Sequence, residues 1–338
     1  MEEINMSKEV IENYDLSCKH LFKKSAGKAK YYYMLHFDST LDIDLKEISK
    51  LYKEDKRYRI FGMHTNLYIT EKGYDGLFID INPKGAKIQF DKEKEEFVVS
   101  SNLTNSELVN YTMRLGYDFS SLTGIPGMVG AGVVGNSSWV PPAKSYGDYV
   151  KSIKVFDFED GKEKTIIPNE GFFSIRSSFL KEVNSNKTRF FIKEVMLKAD
   201  YIGKEKVREK YLQQINKRAE SLRIGFTEGC AGSIWSNIDL KQKTGKSFRE
   251  IINENPDFNI NYNGARYSLN GGRFFTTDLH TTDKDVAQLF EFTIRKCKEL
   301  YNVVPIKEMI ILDYDGEIQL DTFIERNWHY LLIYLLDL

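Results

Sequence analysis

The chain has 338 residues, 41% hydrophobic and 29% charged, with 48 basic against 49 acidic side chains and a net charge of −1. That length calls for two domains or one large α/β unit with an appended module, and the charge balance leaves no field to draw in nucleic acid or an anionic membrane. Cys18, Cys230 and Cys297 are far apart and lack CxxC spacing, which argues against a disulfide scaffold or thiolate metal site, so no metal is expected.

The start, Met1-Glu2-Glu3-Ile4-Asn5, has no basic or apolar leader region, and no run of about eighteen apolar residues occurs, so a reducing, cytoplasmic setting without a membrane partner is expected. Residues 1–20 read as a polar N-terminal extension, with order beginning near Leu21. Tyr31 to Phe37 is β-favouring, and Leu41, Ile43, Leu45, Ile48 and Leu51 place one apolar face on a helix from Leu41 to Lys53. Arg59-Ile60-Phe61 predicts a strand that runs into a tight polar turn, Gly62 to Ile69, and Gly73 to Ile81 predicts a further turn and strand. Phe97 to Ser100 is strand-like, and Asn105 to Leu115 is helical behind Thr104.

Val150 to Phe158 and Lys164 to Ile167 predict a hairpin closed by Glu159-Asp160-Gly161, and Phe190 to Leu197 another strand. A charged helix from Lys204 to Arg223 stops before Gly225, and the domain boundary is placed there. Beyond it, helices at Phe248 to Asn255 and Asp283 to Leu300 alternate with strands at Arg273 to Phe275 and Glu308 to Leu312, which fits a small α/β domain. The end, Trp328 to Leu336, is apolar but too short to span a bilayer and suits a packed element or self-association.

The stretch Ser120 to Asn136 holds five glycines and one proline among seventeen residues. Glycine permits positive φ and close approach of a ligand, and the N–H groups of such a turn can cradle phosphate oxygens. A tightly packed turn without a ligand is the other reading. Gly62, Thr65 and Asn66 are likewise suited to a phosphate loop.

Gly124-Ile125-Pro126-Gly127-Met128-Val129-Gly130, with Asn136 after it, resembles the GIPG(S/T)VGG…N segment of the bacterial UDP-N-acetylenolpyruvoylglucosamine reductases (MurB). Phe61 to Leu67 is similar to that family's LGGGSNL turn, Gly73 to Leu77 to GFDGL, Ile175 to Lys181 to YRDSxFK, and Ala231 to Asn237 to AGSFFKN. Val303 to Glu308 resembles the terminal GVxLxxEV. The resemblance implies an α+β fold: a two-lobed FAD-binding domain of the vanillyl-alcohol oxidase/p-cresol methylhydroxylase type over residues 21–223, with lobes of about 21–85 and 86–223, then a smaller α/β substrate domain over 224–313 and a C-terminal extension over 314–338. The short interval from Arg176 to Ser233 is similar to the family's second type. FAD and NADPH are the implied cofactors, a nucleotide sugar the implied substrate, and peptidoglycan precursor synthesis the implied role. Gly62, Met63, His64, Thr65, Asn66, Leu67, Gly124, Ile125, Pro126, Gly127, Gly130 and Asn136 fall on the implied cofactor positions and Asn237 on an implied substrate contact, with Arg218 a further candidate substrate contact.

Reducing an enolpyruvyl ether needs a hydride at one alkene carbon, a proton at the other, and stabilisation of an enolate-like intermediate. Arg176 offers a planar fork for a carboxylate, Glu308 a hydrogen bond to the same group if burial keeps it protonated, and Ser233 a hydroxyl proton. Taken singly, each also suits a bland role: an ion-paired arginine, a capping serine, a strand charge.

The chain departs from the family in its substrate half. The basic residue before AGS falls at Ser221, the lysine before Asn237 at Ser236, the following proline at Ile238, and the tyrosine before Arg176 at Ile175. GAYG becomes Ser137-Ser138-Trp139-Val140-Pro141, and KHAxFIVN becomes Asn270 to Thr277. Lys217, Arg218, Arg223, Arg266 and Arg273 are the cations on hand to compensate. His64 stands where glycine is usual, which raises covalent flavin attachment as an option. Two other functions stay open: a same-fold flavin oxidase or dehydrogenase acting on a sugar or alcohol, and a non-catalytic flavoprotein subunit.

Overall fold

The computed structural model describes residues 4–139, 144–185, 187–268 and 274–328. The chain forms two compact units, each assembled from separated segments. The first takes residues 1–14, 30–63 and 76–218, the second 15–29, 64–75 and 219–338.

Unit one carries two sheets. In the four-stranded one, β1 (Ile11–Asp15), β2 (Lys28–Leu35), β5 (Tyr74–Ile81) and β3 (Tyr58–Phe61) lie in that order, with β3 and β5 parallel. Helix α1 (Leu41–Lys53) spans the residues its periodicity predicts, and buries Leu41, Leu45, Ile48 and Leu51 with Tyr33, Tyr58 and Phe158. The second sheet has five antiparallel strands in the order β6 (Ile88–Asp91), β7 (Glu96–Ser100), β12 (Phe190–Leu197), β8 (Val150–Asp157), β9 (Lys162–Ile166). Helices α2 (Asn105–Leu115) and α3 (Val129–Val134) contribute Leu108, Val109, Val129 and Val133 to its core. Thr104 caps α2 in a reciprocal capping box with Glu107, as the Thr-x-x-Glu spacing requires.

Unit two has a three-stranded sheet in which β16 (Ile310–Asp313) pairs in parallel with β4 (Leu67–Ile69) and antiparallel with β17 (Gly316–Ile318). A second, antiparallel sheet comprises β13 (Asn261–Tyr262), β14 (Ala265–Tyr267) and β15 (Phe275–Thr276). Helices α6 (Asn237–Thr244), α7 (Phe248–Glu254), α8 (Asp283–Tyr301) and α9 (Leu320–Asn327) close over a core of Trp235, Phe248, Phe275, Phe290 and Phe323. Lys24 and Asp283 form a buried ion pair at 2.8 Å within this unit. Tyr68 donates to the same carboxylate at 2.7 Å and the Glu71 amide at 2.7 Å, so the charges are extensively hydrogen-bonded.

The units do not follow the linear partition expected from the sequence. Residues 4–14 belong to unit one, where Ser7 donates to Asp44 and β1 adds an edge strand, while residues 15–29 join unit two. The expected N-terminal extension is therefore integral, because an edge strand needs backbone pairing rather than an apolar sequence. The chain passes between units inside α5 (Lys204–Ile224), at Arg218–Ala219, ahead of the expected boundary, and Gly225–Gly229 carries the helix on as a π-turn rather than ending it. Beyond residue 313, β17 and α9 pack into unit two, with Phe323 and Ile324 fully buried. The apolar end from 329 onward, and Arg273 of the strand expected at 273–275, lie outside the described residues.

Candidate active site

In unit one the glycine stretch is fixed from both sides. Asn105 receives Tyr146 OH on its side-chain oxygen, and its side-chain amide donates to the carbonyls of Ile125 and Pro126, at 3.1 and 3.4 Å. Its backbone amide donates to Gly127 O at 3.0 Å. Gly124 and Gly127 take φ of 70° and 109°, a region open to glycine. The later glycines answer to packing. A Cβ on Gly132 would lie 2.3 Å from the Tyr146 ring, and one on Gly130 would lie 2.8 Å from Ser101 Cβ. The Gly130 amide donates to Ser101 O, so it is spent inside the fold rather than offered to a phosphate. The packed-turn reading therefore holds for Gly130 and Gly132.

Beside this turn, the Ser101 and Thr123 hydroxyls and the Asn102 side-chain oxygen are buried without hydrogen-bond partners among the described residues. Buried polar atoms left unpaired are unfavourable; the two hydroxyls can donate to a phosphate or carbonyl oxygen of a ligand, whereas the Asn102 oxygen accepts only and calls for a donor. Gly62 adjoins it: a Cβ there would lie 3.6 Å from Met128 Sδ and 3.7 Å from Ala131 Cβ. Met63 is exposed.

Arg176 sits between the short strands β10 (Phe173–Ser174) and β11 (Ser177–Ser178), with φ of 57°. Its guanidinium donates to Ser138 O, and Lys181 Nζ donates to its carbonyl at 3.0 Å. Asn136, also left-handed at φ 42°, ties the same region together by donating to Ser174 O at 2.8 Å and accepting from the Gly147 amide. Its role here is to hold the loop. Arg218 is 4% exposed, and burial pulls its pKa down to about 9. It donates to Ser121 O at 3.2 Å and lies against the Trp139 ring.

In unit two the Ala231 to Asn237 segment brings the other two candidates together. Ser233 Oγ donates to Trp235 O at 2.9 Å and accepts from Asn237 Nδ2 at 3.3 Å. Asn237 Oδ1 accepts from the Phe248 amide at 3.0 Å, which fixes the direction of its amide. The Glu308 amide donates to Ile234 O at 2.8 Å, and its carbonyl accepts from Asn66 Nδ2 at 3.0 Å. Ser233, Glu308 and the turn before β4 are therefore joined by backbone and amide hydrogen bonds. Glu308 is half-buried.

His64 has φ of 55°, which explains why glycine is the ordinary choice at this turn position. Thr65, Asn66 and Leu67 follow it, with the Leu67 amide donating to His64 O. Ser236, in place of a lysine, caps α6 by accepting from the Asp239 amide. Arg266 is engaged by Asp278 at 2.8 Å and so does not replace the lost charge. The unpaired Thr123 and Ser101 hydroxyls and the Trp139–Arg218 contact were not anticipated from the sequence. The available signal was Trp139 standing in the segment that departs from GAYG.

No family model matches the chain. Known proteins do. The Petrotoga mobilis UDP-N-acetylenolpyruvoylglucosamine reductase is 28% identical over 79% of this chain and 84% of its own, and that of Bacillus pumilus is 25% identical over 90% and 94%. The Rhodopirellula baltica reductase reaches 32%, over 41% of this chain and 46% of its own length, so that match spans about half of the relative. The crystal structure of the Thermus caldophilus UDP-N-acetylenolpyruvylglucosamine reductase superposes with a TM-score of 0.65 at 20% identity, covering 91% of this chain and 99% of that one. The fold is thus the α+β fold of that reductase, one expected from the sequence motifs. Over most of its length the chain is thus similar to the UDP-N-acetylenolpyruvoylglucosamine reductases.

Proposed function

We propose that the protein is an FAD-dependent, NADPH-using reductase that converts UDP-N-acetylglucosamine enolpyruvate to UDP-N-acetylmuramate, a peptidoglycan precursor. The observation that carries this reading is the Asn237–Ser233 side-chain hydrogen bond on the segment that resembles the family's AGS motif, to which Glu308 is tied through its backbone amide at Ile234 O. Bound FAD, reduced by NADPH, supplies the hydride. Unit one is the cofactor-binding part, with Ser101, Asn102, Thr123, Gly124 and Gly127 meeting the flavin nucleotide. Gly62 and Met63, and His64 to Leu67 in unit two, are the further proposed cofactor contacts.

Arg176 holds the substrate carboxylate and stabilises charge as the enolate develops. Glu308 is the proposed acidic partner of Ser233 within unit two. Ser233 gives its proton to the α-carbon, a transfer for which its O–H turns away from Trp235 O while Asn237 continues to donate to the oxygen. Arg218 and Asn237 bind the nucleotide sugar. Among the described residues no helix is long and apolar enough to cross a membrane, and the substrate is a cytosolic type of metabolite, which supports a cytoplasmic setting.

The test is anaerobic. NADPH should bleach the flavin absorbance of the purified protein, and UDP-N-acetylglucosamine enolpyruvate should restore it. A flavin that bleaches and stays bleached would reject this substrate and favour another enolpyruvyl or nucleotide-sugar compound.

A further inference from the structure

We propose that Trp139 is a positioning residue that holds Arg218 for an anionic oxygen of the bound ligand; this rests on the reading of unit one given above. Arg218 is 4% exposed and has no ion-pair partner among the described residues. Nη2 donates to Ser121 O at 3.2 Å, while Nη1 is buried without a partner. The guanidinium lies 4.3 Å from the centre of the Trp139 ring. The indole N–H donates to Thr123 O at 3.3 Å, so the ring is pinned at its edge while its face covers the cation. An aromatic face offsets only part of the cost of burying a guanidinium.

What is missing is an acceptor. The open N–H of Arg218 and the unpartnered hydroxyl of Thr123 belong to the same small assembly, linked through Trp139. Each is a buried donor without a partner among the described residues, of the kind that a phosphate or carboxylate oxygen satisfies. The neighbouring residue acts on a second cation, since Ser138 O accepts from Arg176. Adjacent residues thus orient two arginines, one through a carbonyl and one through a ring. Substitution separates them, because Trp139→Ala removes the ring and leaves the carbonyl in place.

The experiment uses the full chain with FAD, NADPH and UDP-N-acetylglucosamine enolpyruvate. Trp139→Ala should raise either the substrate KM or the FAD Kd about tenfold with kcat held within about threefold, and Trp139→Phe, which keeps a ring face, should recover most of that loss. Whichever constant moves identifies the source of the anionic oxygen, nucleotide sugar or cofactor. Arg218→Gln should carry the same loss, and adding Trp139→Ala to it should cost little more. Additive losses, or a Trp139→Ala protein with both constants unchanged, would overturn the proposal.

A second readout needs no turnover. The Trp139 emission, taken as the difference between parent and Trp139→Phe, should change on titration with FAD or the nucleotide sugar, and should not change in Arg218→Gln. A parent that binds either molecule but reduces nothing sinks the reductase reading while this emission still judges the clamp. Emission indifferent to both molecules overturns it.

Discussion

Asn237 donates to Ser233 Oγ at 3.3 Å, and the serine donates onward to Trp235 O at 2.9 Å. An oxygen that accepts a hydrogen bond from a fixed amide is better able to bear the charge left when its proton departs. Ser233→Ala should therefore lower kcat by about 10²- to 10⁴-fold while the NADPH-driven bleaching keeps its rate. Asn237→Ala should give a smaller fall of the same kind. Stopped-flow traces of the two half-reactions separate these effects, and slower bleaching in Ser233→Ala would count against the assignment.

Arg176→Lys keeps the charge and gives up the fork, and a lysine cannot donate from two nitrogens to one carboxylate. We expect kcat/KM for the enolpyruvyl ether to fall about a hundredfold, with the flavin spectrum unaltered. A near-parental kcat/KM would mean that the substrate carboxylate is held elsewhere.

His64 occupies a left-handed conformation that glycine adopts without steric cost. His64→Gly should therefore be tolerated and should raise the urea midpoint, by about 1 kcal/mol at most. The same protein tests attachment. Flavin should leave both parent and variant on acid precipitation, whereas yellow parent precipitate and colourless variant precipitate would establish a covalent bond through the histidine.

His20 is buried in unit two near Lys24, and burial first, then that positive charge, lowers its pKa from 6.5 to about 4. Above pH 6.5 neither folded nor unfolded chain holds this proton. As pH falls from 6.5 towards 4 the unfolded chain takes it up and the folded chain does not, so stability drops, by about 3 kcal/mol in all. Denaturation midpoints measured across that window should fall more steeply for the parent than for His20→Gln.

Gly132→Ala should destabilise the fold by about 1–3 kcal/mol, because its Cβ would stand 2.3 Å from the Tyr146 ring. Thermal unfolding of this variant distinguishes a glycine kept for packing from one kept for a ligand.

Local pattern decided some of the regular elements, though not β1, α3, α6 or α9. The apolar spacing in Leu41–Lys53 and the Thr104–Glu107 box fixed two helices to the residue, because periodicity and capping act over a turn or two. The motif segments likewise pointed to Ser233 and Asn237, which share a hydrogen bond, and to Glu308, whose amide donates to Ile234 O. The tertiary structure decided the rest. It sent residues 15–29 and 64–75 to unit two, integrated the N-terminal segment as an edge strand, and divided the glycine stretch between a left-handed turn and a packed helix. It also laid Trp139 on Arg218, residues far apart in the chain. Such pairings depend on long-range burial and on which polar atoms are left without partners, neither of which leaves a local periodic trace in the sequence.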